Sequence, residues 1–165
     1  MTVDQHLQRA RIEKRHPDVY RAQVQAAKAV RNATRQAGLD RSLVELVNIR
    51  ISQINGCAYC LNVHVRDALI NGETAQRIAV LSAWRDTVLF TPREQAALTL
   101  AESLTELPDA RTQEQDYAEA SRRLTPDQIS AIWVTIAMNA FNRISIVSRH
   151  MVKTQPSTEP TGNGR

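Results

Sequence analysis

Cys57, Cys60 and His64 stand in a C-x-x-C-x-x-x-H spacing within Asn55-Gly-Cys-Ala-Tyr-Cys-Leu-Asn-Val-His64, and the chain has no other cysteine. On a helix, positions three and four apart share a face, so these three side chains are expected to converge. Helical Cα atoms three apart lie roughly 5–5.5 Å from each other, inside the roughly 4.4–6.8 Å that a disulfide spans. The pair can therefore cycle between dithiol and disulfide without unfolding its helix. A helix that starts at Cys57 brings its partial positive end to the sulfurs and favours thiolate over thiol. An imidazole titrates near neutral pH, so His64 can take a proton from Cys60 and return it to a leaving group. The helix end favours Cys57 as the thiolate, whereas a base at i+4 favours Cys60. Cys60 is taken as the attacking thiol, because the base acts during the proton transfer itself.

A carboxylate usually orients such a histidine, and Glu45 is the candidate. Glu45 has a competing role as the last residue of a capping box, Ser42-x-x-Glu45. Two other readings of the cluster stay open at this level. One is a pair of buried structural cysteines beside a surface histidine. The other is zinc held by two thiolates, an imidazole and a carboxylate, although structural zinc sites more often carry a second Cys/His pair at motif spacing. No metal and no cofactor is expected. His6, His16 and His150 are isolated, and Trp84, Trp133 and Phe141 are read as packing residues.

The scaffold that must position these residues reads as helical. The chain has 165 residues, 42% of them apolar, and only five glycines, which suits one helical domain with a core of its own. Pro17 opens and Gly38 closes a helix in which Tyr20, Val24, Ala27, Val30 and Ala37 recur at helical spacing. The segment from Asp4 to Arg15 is a short helix or an arm. After the turn Gly38-Leu39-Asp40, the spacing of Leu43, Leu46, Val47, Arg50, Ile51 and Ile54 predicts a second helix. The alternation in Val47-Asn-Ile-Arg-Ile-Ser52 is a rival strand signal. Asn55-Gly56 breaks that helix, and the next is expected from about Cys57 to Asn71. Further helices are expected at Glu73–Trp84, from Thr91-Pro92 to before Pro108, and over 112–123. The last opens at Thr125-Pro126 and carries one stripe from Ile129 through Ile132, Trp133, Ile136, Ala140, Ile144 and Val147 to Met151. Residues 154–165 are read as a disordered tail, leaving a single domain over 1–153 with a basic part at 1–38 and a redox core at 40–72.

The net charge is +4, and residues 1–35 alone carry +5, from eight Arg/Lys against Asp4, Glu13 and Asp18. No nucleic-acid-binding motif accompanies that charge, so no nucleic-acid partner is expected. Nor is a membrane partner: there is no signal-peptide pattern at the start and no run of about eighteen apolar residues. The cytoplasm is the expected compartment, where a close cysteine pair is more often catalytic or metal-binding than structural. No GxGxxG, P-loop, nucleophile-elbow serine or internal repeat is present.

Glu45, eleven intervening residues and Cys57-Ala-Tyr-Cys60-x-x-x-His64 together resemble the core of the AhpD-like alkylhydroperoxidases, in the carboxymuconolactone-decarboxylase-like superfamily. The likeness extends to Leu46-Val-Asn-Ile-Arg-Ile-Ser-Gln-Ile-Asn-Gly56, Trp84-Arg85, Thr91-Pro-Arg-Glu-Gln-Ala-Ala-Leu98 and Asn139-Ala-Phe-Asn-Arg143, and covers roughly residues 17–150. It implies an all-α fold assembled as homotrimers or homohexamers. It also implies that Cys60 attacks a hydroperoxide, that Cys57 resolves the sulfenic acid, and that His64 and Glu45 relay the proton. A dithiol, such as that of a lipoylated protein, would reduce the disulfide. Decarboxylase members typically lack the cysteine pair, which argues against lactone decarboxylation. Tyr59 stands where the AhpD type carries a histidine, which implies weaker activity or another substrate. The alternative function is a redox sensor or disulfide-exchange module of the same fold without a catalytic cycle.

Overall fold

Prolines or threonine caps set the helix starts at Pro17, Ala75, Pro92 and Pro126, and the helices enclose one deeply buried element. The computed structural model describes residues 9–148 and Val152. The helices are α1 (Ile12–Arg15), α2 (Pro17–Gln36), α3 (Arg41–Asn55), α4 (Ala58–Ile70), α5 (Ala75–Val80), α6 (Pro92–Glu106), α7 (Ala110–Ser121), α8 (Pro126–Asn142) and α9 (Ile144–Val147). A 3-10 segment, Leu81–Asp86, follows α5. No strand occurs among the described residues, so the fold is all-α as expected. The sequence positions His6, His150, Met151 and the tail 154–165 lie outside the described residues.

The element that organises the rest is α3. It packs on α4, α6 and α8, and every residue from Leu43 to Ile49 is buried. Leu43, Val44, Val47 and Ile51 enter one core with Ala97, Leu100, Ile132 and Ile136 of α6 and α8. Leu46 and Ile49 enter a second with Ala68, Leu81, Trp84, Phe90 and Leu98. A helix covered on more than one side carries apolar residues on more than one face, which gives its sequence a strand-like alternation. Its polar members Glu45, Asn48 and Ser52 are buried with them. Helix is the outcome.

Several expectations need correction. The box Ser42-x-x-Glu45 does not cap α3: Asp40 is the N-cap, with no side-chain cap bond. Ser42 already lies inside the helix, and its hydroxyl donates to Glu73 Oε2 at 2.9 Å, while Glu45 turns inward. Glu73–Trp84 is not one helix. Thr74 caps α5, Glu73 is buried before it, and non-helical angles at Ala83 break the 3-10 segment that follows. The long C-terminal stripe is interrupted at Arg143, between α8 and α9. Within it Trp133, read as a packing residue, is 41% exposed and stacks on Tyr117 at 5.7 Å between ring centroids. By length and composition alone residues 126–147 would reach across a bilayer. Here Ile129, Ile132 and Ile136 of that stretch are buried in the protein core. The capping boxes at Thr91/Glu94 and Thr125/Gln128 are both formed.

Candidate active site

Gly56 ends α3 with φ 63°, a left-handed conformation that glycine adopts without a Cβ penalty. The amide of Cys57 donates to Ser52 O at 3.0 Å across this turn, and α4 folds back against α3. Cys57 itself is extended and serves as the N-cap of α4, one position ahead of the first turn where its spacing had placed it. Its Sγ accepts the Cys60 N–H at 3.2 Å. The two cysteines form a disulfide with a Cα–Cα distance of 5.3 Å. Cys57 is 3% exposed and Cys60 9%, so the sulfurs lie just beneath the surface at the amide-donor end of α4. That end stabilises negative charge on sulfur once the bond is reduced.

The reversal at Gly56 brings α3 and α4 side by side, and with them Glu45 and His64. His64 Nδ1 lies 2.7 Å from Glu45 Oε2. The Glu45 side chain is fully buried, and that of His64 retains 19% exposure. Glu45 Oε2 also accepts from Asn48 Nδ2 at 3.3 Å. Its Oε1 makes no aligned hydrogen bond, but the Arg41 guanidinium faces it as an ion pair. A buried carboxylate survives only with such partners. With Nδ1 directed at the carboxylate, the other ring nitrogen of His64 is the one left for proton transfer.

Arg41, Asn48 and Asn139 have no role in the sequence reading, although Asn48 and Asn139 lie in stretches that carry the resemblance. Asn139 Nδ2 donates to Asn48 Oδ1 at 2.7 Å and to Thr135 O at 3.0 Å, so α8 props the residue that props Glu45. Arg41, Glu45 and Asn48 are spaced four and three apart on α3, a pattern visible in the sequence. Asn139 lies 91 residues from Asn48, and no local spacing announces it.

A second buried carboxylate, Glu102 of α6, ties α3 to the 3-10 segment. It accepts from Arg50 Nε at 2.6 Å and Trp84 Nε1 at 2.9 Å, and from Arg85. Burial pushes its pKa up, but the bonds from Arg85, Trp84 and Arg50 and the Arg50 charge outweigh that and hold it below the ordinary carboxylate value. Arg85 also lies over the Trp84 ring, 4.1 Å from its centroid. This cluster clamps the second core and touches none of the redox residues. Among the described residues no group of three His, Cys, Asp or Glu side chains is placed to hold a metal ion.

Comparison with known proteins agrees with this architecture. Residues 17–103 match the carboxymuconolactone decarboxylase family. The uncharacterized protein YdfG of Bacillus subtilis (strain 168) is 39% identical over 114 residues, which is 68% of this chain and 78% of that protein. A crystal structure from Agrobacterium tumefaciens superposes with a TM-score of 0.78 at 27% identity, covering 90% of this chain and all of the other. That protein is described as one of unknown function, proposed to be the antioxidant defence protein AhpD. The chain belongs to the carboxymuconolactone decarboxylase family and has its AhpD-like fold.

Proposed function

We propose that this protein is a thiol-dependent hydroperoxide reductase of the AhpD type. The observation that carries the reading is the Cys57–Cys60 disulfide, one helical turn from a histidine whose Nδ1 is bonded to the buried Glu45. In the reduced protein His64 accepts the Cys60 thiol proton. The thiolate attacks the terminal oxygen of ROOH, the O–O bond breaks, and His64 returns the proton to the departing alkoxide. The products are ROH and a Cys60 sulfenic acid. The Cys57 thiol then attacks that sulfur and expels the hydroxyl as water, which closes the disulfide. A small dithiol, or a lipoylated protein, restores both thiols and leaves as its own cyclic disulfide. Glu45 fixes the tautomer and balances the imidazolium; Arg41 and Asn48 hold Glu45.

The cysteine pair is what favours redox chemistry over decarboxylation within the family. The low exposure of both sulfurs favours a second reading, a redox sensor that reacts once with peroxide and has no catalytic cycle. Sulfenate trapping separates the assignments of the two thiols. Reduced Cys57→Ser treated with peroxide should accumulate a dimedone adduct on Cys60, read by mass spectrometry. An adduct on Cys57 in the reciprocal Cys60→Ser protein, with none on Cys60, would reverse the roles.

A further inference from the structure

The basic charge of α2 has no part in the chemistry above, yet two of its arginines border the site. Arg31 and Arg35 lie one helical turn apart, are exposed, and their guanidiniums pair with no acid among the described residues. Residues 19–39 contain no Asp or Glu. The flanking acids are engaged elsewhere: Asp18 faces Arg21, Asp40 faces Arg93, and Glu45 faces Arg41. Arg31, Arg35 and Arg41 line a surface cavity of about 390 Å³. It adjoins a smaller one of about 110 Å³, sharing Arg31, Thr34, Arg41 and Val44 with it. The smaller cavity is lined by the apolar Ala27, Val30, Val44 and Met138 together with polar residues that include Asn48, Asn139 and His64.

We infer that these two cavities form one site for a small carboxylate on an apolar stem, with the acid on Arg31 and Arg35 and the stem directed toward His64. A guanidinium matches a carboxylate with paired N–H donors. The apolar part of the smaller cavity's wall, Ala27, Val30, Val44 and Met138, gives a hydrocarbon stem a surface that a bare anion would not cover. The inference rests on the hydroperoxide-reductase reading for its purpose. The acid is carried either by the hydroperoxide or by the reducing dithiol.

The test begins with binding, which needs no turnover. Octanoate is titrated calorimetrically into the oxidised full-length protein, beside 1-octanol and inorganic phosphate. Octanoate should bind tightest, and Arg31→Gln/Arg35→Gln should weaken it about tenfold or more, the value of losing charge-assisted hydrogen bonds. Equal binding of octanoate by wild type and variant, or phosphate binding as tight as octanoate, would overturn the site. Turnover then distinguishes the two carriers. A carboxylate-bearing hydroperoxide is compared with its methyl ester using dihydrolipoamide, and dihydrolipoate is compared with dihydrolipoamide using a neutral hydroperoxide. A kcat/KM preference for the acid in one arm, lost in the double variant, supports the site and names the carrier. Turnover with no preference in either arm would overturn it. Octanoate binding without turnover of any peroxide would sink the enzymatic reading and leave the binding site standing.

Discussion

Changing Glu45 to Gln keeps the volume of a fully buried side chain and removes only its charge. In the structure Oε2 faces His64 Nδ1 at 2.7 Å and Asn48 Nδ2 at 3.3 Å, while Oε1 faces Arg41. Every neighbour is a donor, and an amide supplies one acceptor where the carboxylate supplies two. If the amide oxygen takes His64, the amide NH₂ meets the Arg41 guanidinium. If the NH₂ takes His64, Nδ1 must become an acceptor and the other ring nitrogen carries the proton, which disables it as a base. The Arg41 side chain is 38% exposed and recovers part of its loss from water, so the stability cost is about 1–3 kcal/mol. For a chain of this size that lowers Tm by roughly 2–4 °C per kcal/mol. A positioned base contributes about 10²–10⁴-fold, and peroxide oxidation of the reduced variant should slow by about 10²-fold or more. Stopped-flow loss of free thiol in single-turnover conditions reads the rate, and a circular-dichroism melt shows that the variant is folded. A folded Glu45→Gln protein oxidised within about threefold of the wild-type rate would refute the relay.

Three further outcomes are expected. Glu102→Gln should cost about 2–4 kcal/mol in denaturant unfolding, because Arg50, Arg85 and Trp84 lose a charged acceptor, with the Cys60 oxidation rate little changed. Since the folded-state pKa of Glu102 lies below its ordinary value of 4.5, its contribution is fully present above about pH 4.5 and is lost as pH falls through the lower folded value. The gap between wild type and Glu102→Gln should therefore be flat at neutral pH and narrow in acid; a gap that widens in acid would contradict the cluster. Asn139→Ala should lose about 1–3 kcal/mol by leaving the buried Asn48 Oδ1 without its donor, and should slow thiol oxidation as well. Gly56→Ala should cost about 1 kcal/mol, because its left-handed backbone strains any Cβ even though no atom would crowd one.

How much of this was legible in the sequence depended on whether a signal was local. Caps at Thr91 and Thr125, the prolines after them, and the break at Gly56 are contiguous patterns, and the helices begin and end there. The disulfide pair and its histidine were visible because all three share one helical run. Glu45 was harder. Its capping-box pattern was complete, yet Ser42 was drawn off by Glu73, an acid 31 residues away. Asn139 and the Glu102 cluster depend on helices meeting in space, and spacing along one helix carries no trace of them. The rival strand signal in α3 has a similar origin: the helix buries two faces, so its apolar residues fall on both and alternate with polar ones such as Asn48 and Arg50, yet the helical spacing still read correctly.

Consumption of hydroperoxide by the reduced protein in excess dihydrolipoamide, with Cys57→Ser and Cys60→Ser beside it, tests the central claim most directly. Many turnovers by wild type, lost in both variants, are the predicted result. A single stoichiometric oxidation followed by silence would contradict it, and would make the cysteine pair a sensor rather than a catalyst.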